Sequence, residues 1–332
     1  MSKVVRFHQQ GPPEVLSIDE VDLGEPGPTE VRMRVDALGL NRAEATWRSG
    51  DYVEEPKSLP AQLGYEAAGV VEVAGSDVEG FVPGDAVSVV PAFSMNEYGV
   101  YGDTAIVPAH SLIKIPTELD AVTSAATWMP YLTAFGALLD IGGMRSGDYV
   151  LITAASSSVG LAAIQIANRT GAIPIAVTRT SAKSAVLFEH GAEYVIASEE
   201  EDLVGRVQEI TQGHGADFVF DPIGGPLLRT LAAATATGGT LFVYGYLSLA
   251  PTPYPGMETL PALNMRSYQL FEVTKNPARL ARGVRYIVSG LKHGFITPAV
   301  DRTFDLSDIV KAHHYLESNA QVGKIVVTVD HS

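Results

Sequence analysis

Residues 148–167 read Asp-Tyr-Val-Leu-Ile-Thr-Ala-Ala-Ser-Ser-Ser-Val-Gly-Leu-Ala-Ala-Ile-Gln-Ile-Ala: an apolar run, a turn of very small residues, then a helical pattern with an apolar face. Such a turn aims backbone N–H groups and the positive end of a helix at a pyrophosphate, and small side chains let the phosphates approach. The spelling departs from G-x-G-x-x-G, because Ala155, Ser157 and Gly160 hold the three glycine positions. Ala and Ser are still small, and Ser156, Ser157 and Ser158 add hydroxyl donors beside the backbone of Ala155 and Val159. An ordinary strand-to-helix turn of another α/β protein would also carry this pattern. The end of the next apolar run discriminates between cofactors. An NAD site usually places an acidic residue there, about 20 residues past the turn, to bind the ribose 2′-OH. Here the chain has Thr178-Arg179-Thr180-Ser181-Ala182-Lys183, with no acid before Glu189. Arg179 and Lys183 suit a 2′-phosphate through a guanidinium fork and an ammonium, with Thr178 and Thr180 as neutral donors. NADPH is therefore expected over NADH; the plainer alternative is two solvated cations at a helix start.

These residues need a sheet to hold them. The apolar runs Tyr149–Thr153, Ile173–Thr178, Tyr194–Ile196, Phe218–Phe220 and Thr240–Tyr244 alternate with Ala- and Leu-rich helical patterns. Five strands in crossover order predict a doubly wound parallel sheet. Residues 1–120 read differently, as short strands separated by Gly, Pro and Asp clusters such as Gly24-Glu25-Pro26-Gly27-Pro28. After Phe271 the texture changes again, to a helix over 277–292, a strand over 299–304, a helix over 306–317 and a last strand over 324–329. That change predicts a return to the first domain.

Composition bounds the chemistry. The 332 residues suffice for two domains. With 46% hydrophobic and 18% charged residues the chain is expected to fold. A formal charge of −15, from 23 Lys+Arg against 38 Asp+Glu, repels phosphate backbones and anionic lipid, so nucleic acid is an unlikely partner class. The absence of Cys removes thiolate nucleophiles, disulfides and cysteine-based zinc sites. The N-terminus has no apolar signal core, and three long uncharged stretches are broken by Pro130, by the serine run and by Gly238-Gly239 with Pro251, Pro253 and Pro255. A cytoplasmic protein without membrane spans is expected.

Further motifs occur in order: Gly39-Leu40-Asn41-Arg42-Ala43-Glu44, Gly64-Tyr65-Glu66-Ala67-Ala68-Gly69, Val82-Pro83-Gly84-Asp85, Leu132-Thr133-Ala134, Asp221-Pro222-Ile223-Gly224-Gly225 and Gly323-Lys324-Ile325-Val326. With the turn at 155–160, they make the chain resemble the medium-chain dehydrogenase/reductase superfamily, in its zinc-independent quinone oxidoreductase branch. The resemblance implies an α/β protein with two domains: a GroES-like, β-rich catalytic domain from residues 1–125 and 272–332, and a doubly wound Rossmann NADP-binding domain from 126–271. It implies a dimer or tetramer, and it sets the zinc-ligand positions of related alcohol dehydrogenases on Asn41, Tyr65 and Met129. None of these is a good zinc ligand, so no metal is expected. Without a metal, hydride transfer is expected to target quinones or α,β-unsaturated carbonyls, which delocalise the developing charge.

The candidate donors are Asn41, Tyr52 and Tyr65. The resemblance makes Tyr52 a proton donor, and it places Thr133, Tyr244 and Gly245 beside the nicotinamide. For each tyrosine, plain cleft lining or core packing stays open. Trp47, Phe93, Trp128 and Tyr131 are likewise open between a flat-ring pocket and the core. Glu66 is expected to be buried and paired, His313 and His314 to be solvated helix surface, and the segment 268–273 to supply an association edge. Alternatives to the quinone reading are an enoyl-thioester reductase and a non-catalytic NADPH-binding or structural protein.

Overall fold

The computed structural model describes residues 1–115, 119–256 and 261–331. The first elements are β1 (Ser2–Phe7), β2 (Leu16–Val21), β3 (Glu30–Gly39), α1 (Arg42–Ser49), β4 (Ala61–Gln62), β5 (Ala67–Ala74), β6 (Ala86–Val89), β7 (Thr104–Pro108), β8 (Leu112–Lys114), α2 (Ala121–Ala125) and α3 (Trp128–Ala134). There follow β9 (Tyr149–Ile152), α4 (Ser158–Thr170), β10 (Ile173–Thr178), α5 (Ser184–Glu189), β11 (Tyr194–Ala197), α6 (Leu203–Ile210), β12 (Ala216–Asp221), α7 (Leu227–Ala234), β13 (Thr235–Val243) and β14 (Asn264–Ser267). The last are α8 (Phe271–Thr274), α9 (Pro277–Lys292), β15 (Val300–Asp305), α10 (Ile309–Glu317) and β16 (Lys324–Thr328). Two compact units result: residues 1–129 with those from 298 onward, and residues 130–297. No described helix is long and apolar enough to cross a membrane.

In the first unit a three-stranded sheet runs β2-β1-β4, and a larger one runs β15-β16-β3-β5-β6-β8 with β7 also paired to β3. Strand β3 is its organiser. Val31, Met33, Val35 and Ala37 alternate inward and are fully buried, the period-2 pattern of a strand with one face on a core. Its last residue, Gly39, lies so close to the Ala125 carbonyl that a Cβ would collide with backbone, which brings α2 against the strand end. The chain then turns directly into α1. Asn41 is its N-cap; the Glu44 carboxylate reaches back to the Asn41 N–H (2.8 Å), and Gly50 ends the helix at φ +88°.

The second unit is an all-parallel sheet in the order β11-β10-β9-β12-β13-β14. Numbered from its own first strand, this is 3-2-1-4-5-6, the doubly wound order in which the strand sequence reverses between β9 and β12. Val150, Leu151, Ile152, Ile175, Ala176, Val219 and Phe220 are buried because helices cover both faces. The sixth strand, β14, escapes the five-strand reading. It reads Asn-Met-Arg-Ser and is largely exposed at the sheet edge, so it carries no apolar signal.

Three expectations change. The second unit extends to residue 297, past the expected boundary at 271, because α9 packs on it: the Arg169 guanidinium lies 4.1 Å from the Tyr286 ring centroid and donates to the Tyr286 carbonyl (2.8 Å). The texture change after Phe271 marks the end of the parallel strands, whereas the chain leaves the unit one helix later. Tyr268 and Val273 form no exposed edge; they are buried against Gly136. His313 is buried, its ring edge-on to Tyr101 at 5.8 Å, and burial pushes its imidazole down to about 3. Neighbouring residues on a helix point about 100° apart, so only His314 faces outward, where it meets Glu14 at 2.7 Å.

At the end of β9 the chain bends through Ala154, an alanine held at φ +47°. The left-handed region costs a residue with a Cβ roughly 1–2 kcal/mol, and glycine's extra unfolded freedom offsets roughly 0.5–1 of that. Ala154→Gly is therefore expected to leave stability unchanged or raise it by up to about 1.5 kcal/mol, read from the urea midpoint; a clear loss would show that this backbone is unstrained.

Candidate functional site

In the second unit, β9 delivers the small-residue turn to the N-terminus of α4. Ser157 caps that helix, its Oγ accepting the Gly160 N–H at 3.1 Å. A Cβ on Gly160 would stand 2.5 Å from the Ala155 carbonyl oxygen, so only glycine lets turn and helix close up. The Ala155 N–H donates to Val177 O (3.2 Å), anchoring the turn to β10. Ala155 is fully buried. Ser156, Ser157, Ser158 and Val159 are half-buried.

The end of β10 meets this turn through Lys183, whose Nζ donates to Ser156 Oγ at 3.3 Å. Thr178 is half-buried, and Arg179 and Thr180 are exposed. The strand end is braced by β11: Ser198 and Glu199 N–H groups donate to the Thr178 and Arg179 carbonyls, and Glu200 accepts the Ser181 N–H at 3.1 Å. Sequence reasoning missed Glu200, which lies 19 residues away from Ser181. Small residues, a capped helix start and a lysine tied to the turn fit a dinucleotide phosphate. Thr133 lies almost buried in α3. Tyr244 stacks on Phe220 (centroids 4.0 Å apart) with its hydroxyl buried, and Gly245 permits close approach to the Pro222 carbonyl.

In the first unit the expected donors stand around a buried ion pair. Lys324 Nζ is 2.6 Å from both Glu66 Oε2 and Asn41 Oδ1, and the lysine and Glu66 are essentially unexposed. Glu66 Oε1 takes the Met129 N–H at 2.9 Å. The Asn41 amide donates to the Gly39 carbonyl (3.0 Å) and to Glu44 Oε1 (3.2 Å), so its oxygen and both hydrogens serve protein partners. Glu44 Oε1 also accepts the Tyr65 N–H (3.2 Å). Burial pushes Glu44 up to about 7 and raises Glu66 as well, while Lys324 pulls both down. Sequence reasoning identified Glu66 as paired but missed Glu44 and Lys324 as the groups that hold Asn41. The one available signal was their position inside ordered motifs.

The Tyr65 hydroxyl lies 3.2 Å from that of Tyr52. Burial, then Tyr52, then the carboxylates Glu44 and Glu54 raise Tyr65 far above the usual phenol range, so it is a neutral hydroxyl at physiological pH. Tyr65 is nearly inaccessible and Tyr52 half-buried, its ring edge-on to Trp47. Trp47, Phe93, Trp128 and Tyr131 are all core residues. Structure thus brings Asn41, Tyr52 and Tyr65 into one neighbourhood, with the amide behind and the two phenols in contact. An amide, a phenol and the thioether of Met129 do not fit zinc, which takes thiolate, imidazole or carboxylate. Among the described residues no group of three or more His, Cys, Asp and Glu is arranged to hold a metal ion.

Comparison with known proteins matches these two units. The alcohol dehydrogenase GroES-like domain family model matches residues 27–117, and the zinc-binding dehydrogenase model matches 158–277. A 2-haloacrylate reductase of a Burkholderia species is 31% identical over 330 residues, covering 97% of each chain. A quinone oxidoreductase of Pseudomonas aeruginosa is 30% identical over 330 residues, 98% of this chain and 99% of that one. The crystal structure of Escherichia coli quinone oxidoreductase complexed with NADPH superposes with a TM-score of 0.91 at 28% identity, over 99% of this chain and 100% of that chain.

Removing one partner of a buried ion pair strands the other charge, at a cost of about 3–5 kcal/mol. Lys324→Met should therefore lower the urea midpoint sharply, and adding Glu66→Gln should recover part of the loss. Equal midpoints for wild type and Lys324→Met would show that the ammonium is not needed where it sits.

Proposed function

We propose that this chain, which belongs to the quinone oxidoreductase branch of the medium-chain dehydrogenase/reductase superfamily, reduces quinones or α,β-unsaturated carbonyl compounds with NADPH. The observation that carries the reading is the contact between the hydroxyls of Tyr52 and Tyr65 at 3.2 Å, with Tyr65 kept neutral by its burial. NADPH, when bound, supplies a hydride to an electrophilic carbon. The substrate oxygen then gains negative charge and needs hydrogen-bond donors and finally a proton. A phenol hydroxyl has both to offer. Quinones and conjugated carbonyls spread that charge over several atoms, so a hydroxyl donor is sufficient for them. A simple ketone concentrates it on one oxygen, where related alcohol dehydrogenases would use a metal.

Tyr52, the more exposed phenol, is assigned contact with the substrate oxygen. Tyr65 holds the Tyr52 hydroxyl from behind, and Tyr52 gives its proton to the substrate oxygen and regains one from solvent. Asn41 acts as a positioning residue, since its amide is engaged by Lys324, Glu44 and Gly39. In the second unit, the backbone from Ala155 to Gly160 is assigned the pyrophosphate, Arg179, Lys183, Thr178 and Thr180 the 2′-phosphate, and Thr133, Tyr244 and Gly245 the nicotinamide end. A 2-haloacrylate reductase among the relatives supports extending the substrate class from quinones to activated alkenes.

Tyr52→Phe should lower kcat for 1,4-benzoquinone or an alkenal by about 10²-fold or more, the usual effect of losing a general acid or oxyanion donor. NADPH affinity should stay within twofold; unchanged turnover would remove Tyr52 from the chemistry. Arg179→Asp should weaken NADPH by about tenfold or more, as expected for a lost charge-assisted bond, with little effect on NADH. Equal weakening of both cofactors, measured by fluorescence titration, would count against the 2′-phosphate assignment.

A further inference from the structure

The strand order of the second unit reverses between β9 and β12, and in such sheets ligands bind outside the carboxyl ends at that reversal. Asp221 is the last residue of β12, at this point, and its side chain has no exposed surface. One carboxylate oxygen accepts the hydroxyl of Thr153, the residue that follows β9; the other accepts the Gly224 N–H at 2.7 Å. Thr153 is itself fully buried, and its N–H donates to the Phe220 carbonyl at 3.2 Å. Burial raises the Asp221 carboxyl, against the pull of Thr153 and the Gly224 and Ile223 N–H groups.

The segments joined in this way carry unusual backbone. Ala154 follows Thr153 at φ +47°, and Gly224 and Gly225 are at φ +62° and +63°. The turn over 222–225 is in turn bonded to the segment after β13, through Leu247 N–H to Pro222 O and Ser248 N–H to Ile223 O, both 3.0 Å. One buried carboxylate therefore ties together the start of the small-residue turn, the turn after β12 and, through the latter, the segment after β13. A carboxylate accepts from both donors at once; an amide would have to present hydrogens to one of them, and the Thr153 hydroxyl could take such a hydrogen only by turning its own toward the Phe220 carbonyl at 3.5 Å. Burying a carboxylate in the sheet is costly, and an apolar residue would fill the same place more cheaply.

We propose that Asp221, acting through Thr153, is a positioning residue for the cofactor, holding the Thr153-Ala154-Ala155 backbone in the conformation that presents the turn at 155–160 to the dinucleotide. This rests on the assignment of that turn as the NADPH site. Asp221 makes no contact of its own with the cofactor; its effect is to fix the backbone that does.

The test is fluorescence titration of NADPH, with quinone kinetics alongside, on Asp221→Asn, Thr153→Val, Thr153→Ser and the Asp221→Asn/Thr153→Val double variant. Each of Asp221→Asn and Thr153→Val should raise the NADPH Kd at least tenfold with little change in the quinone KM. The double variant should be no worse than the poorer single one, because both break the same contact, and Thr153→Ser, which keeps the hydroxyl, should bind like wild type. NADPH Kd values within twofold of wild type for Thr153→Val, or effects of the two substitutions that multiply, would overturn the proposal. Should Asp221→Asn not fold, the Thr153→Val and Thr153→Ser pair decides alone. A wild-type protein that fails to bind NADPH would instead overturn the cofactor assignment itself.

Discussion

A single ammonium organises the first unit. Lys324, on the strand that returns the chain to the N-terminal sheet, is buried between Glu66 and Asn41. Neither carboxylate nor ammonium has water to stabilise it, so each is tolerable only because the other is in place. The consequences spread outward through hydrogen bonds. Asn41, fixed by the lysine, caps α1 and bonds Glu44; Glu44 takes the backbone N–H of Tyr65; Tyr65 meets Tyr52. A chain of contacts thus runs from the last strand to the half-buried phenol, and it joins segments more than 250 residues apart in sequence.

The same arrangement leaves the side chains at 41 and 65 unsuited to a zinc ion. Asn41 is an amide whose hydrogen-bonding capacity is spent, and Tyr65 is a phenol raised well above its usual range. The buried charge here is the Lys324–Glu66 ion pair, facing inward, with Glu44 pushed up to about 7 beside it. On the outward side stand the hydroxyls of Tyr52 and Tyr65, to which the proposed function assigns donation to acceptors that disperse their own negative charge.

The second unit solves a different problem by different means. Its central parallel strands are buried and apolar on both faces, whereas the polar and unusual backbone features gather in the turns at one end. There the small residues, the left-handed backbone at Ala154, Gly224 and Gly225, and the buried Asp221 are concentrated. The strain is local, and the carboxylate is its brace.

The sequence by itself determined the strand-and-helix texture, the parallel character of the second sheet, the helix near 277–292 and the small-residue turn, because periodicity and residue size are local properties. It determined also that Asn41 and Tyr65 are poor zinc ligands, since ligand chemistry belongs to residue type. Tertiary structure decided what required partners remote in the chain. A lone Lys in Gly323-Lys324-Ile325 is indistinguishable from a surface lysine until Glu66 and Asn41 are brought to it. The two histidines of α10 were separated only when packing turned one of them toward Tyr101, and β14 became a strand only because β13 offered it an edge. Burial and pairing are properties of the folded neighbourhood, and no local pattern encodes them.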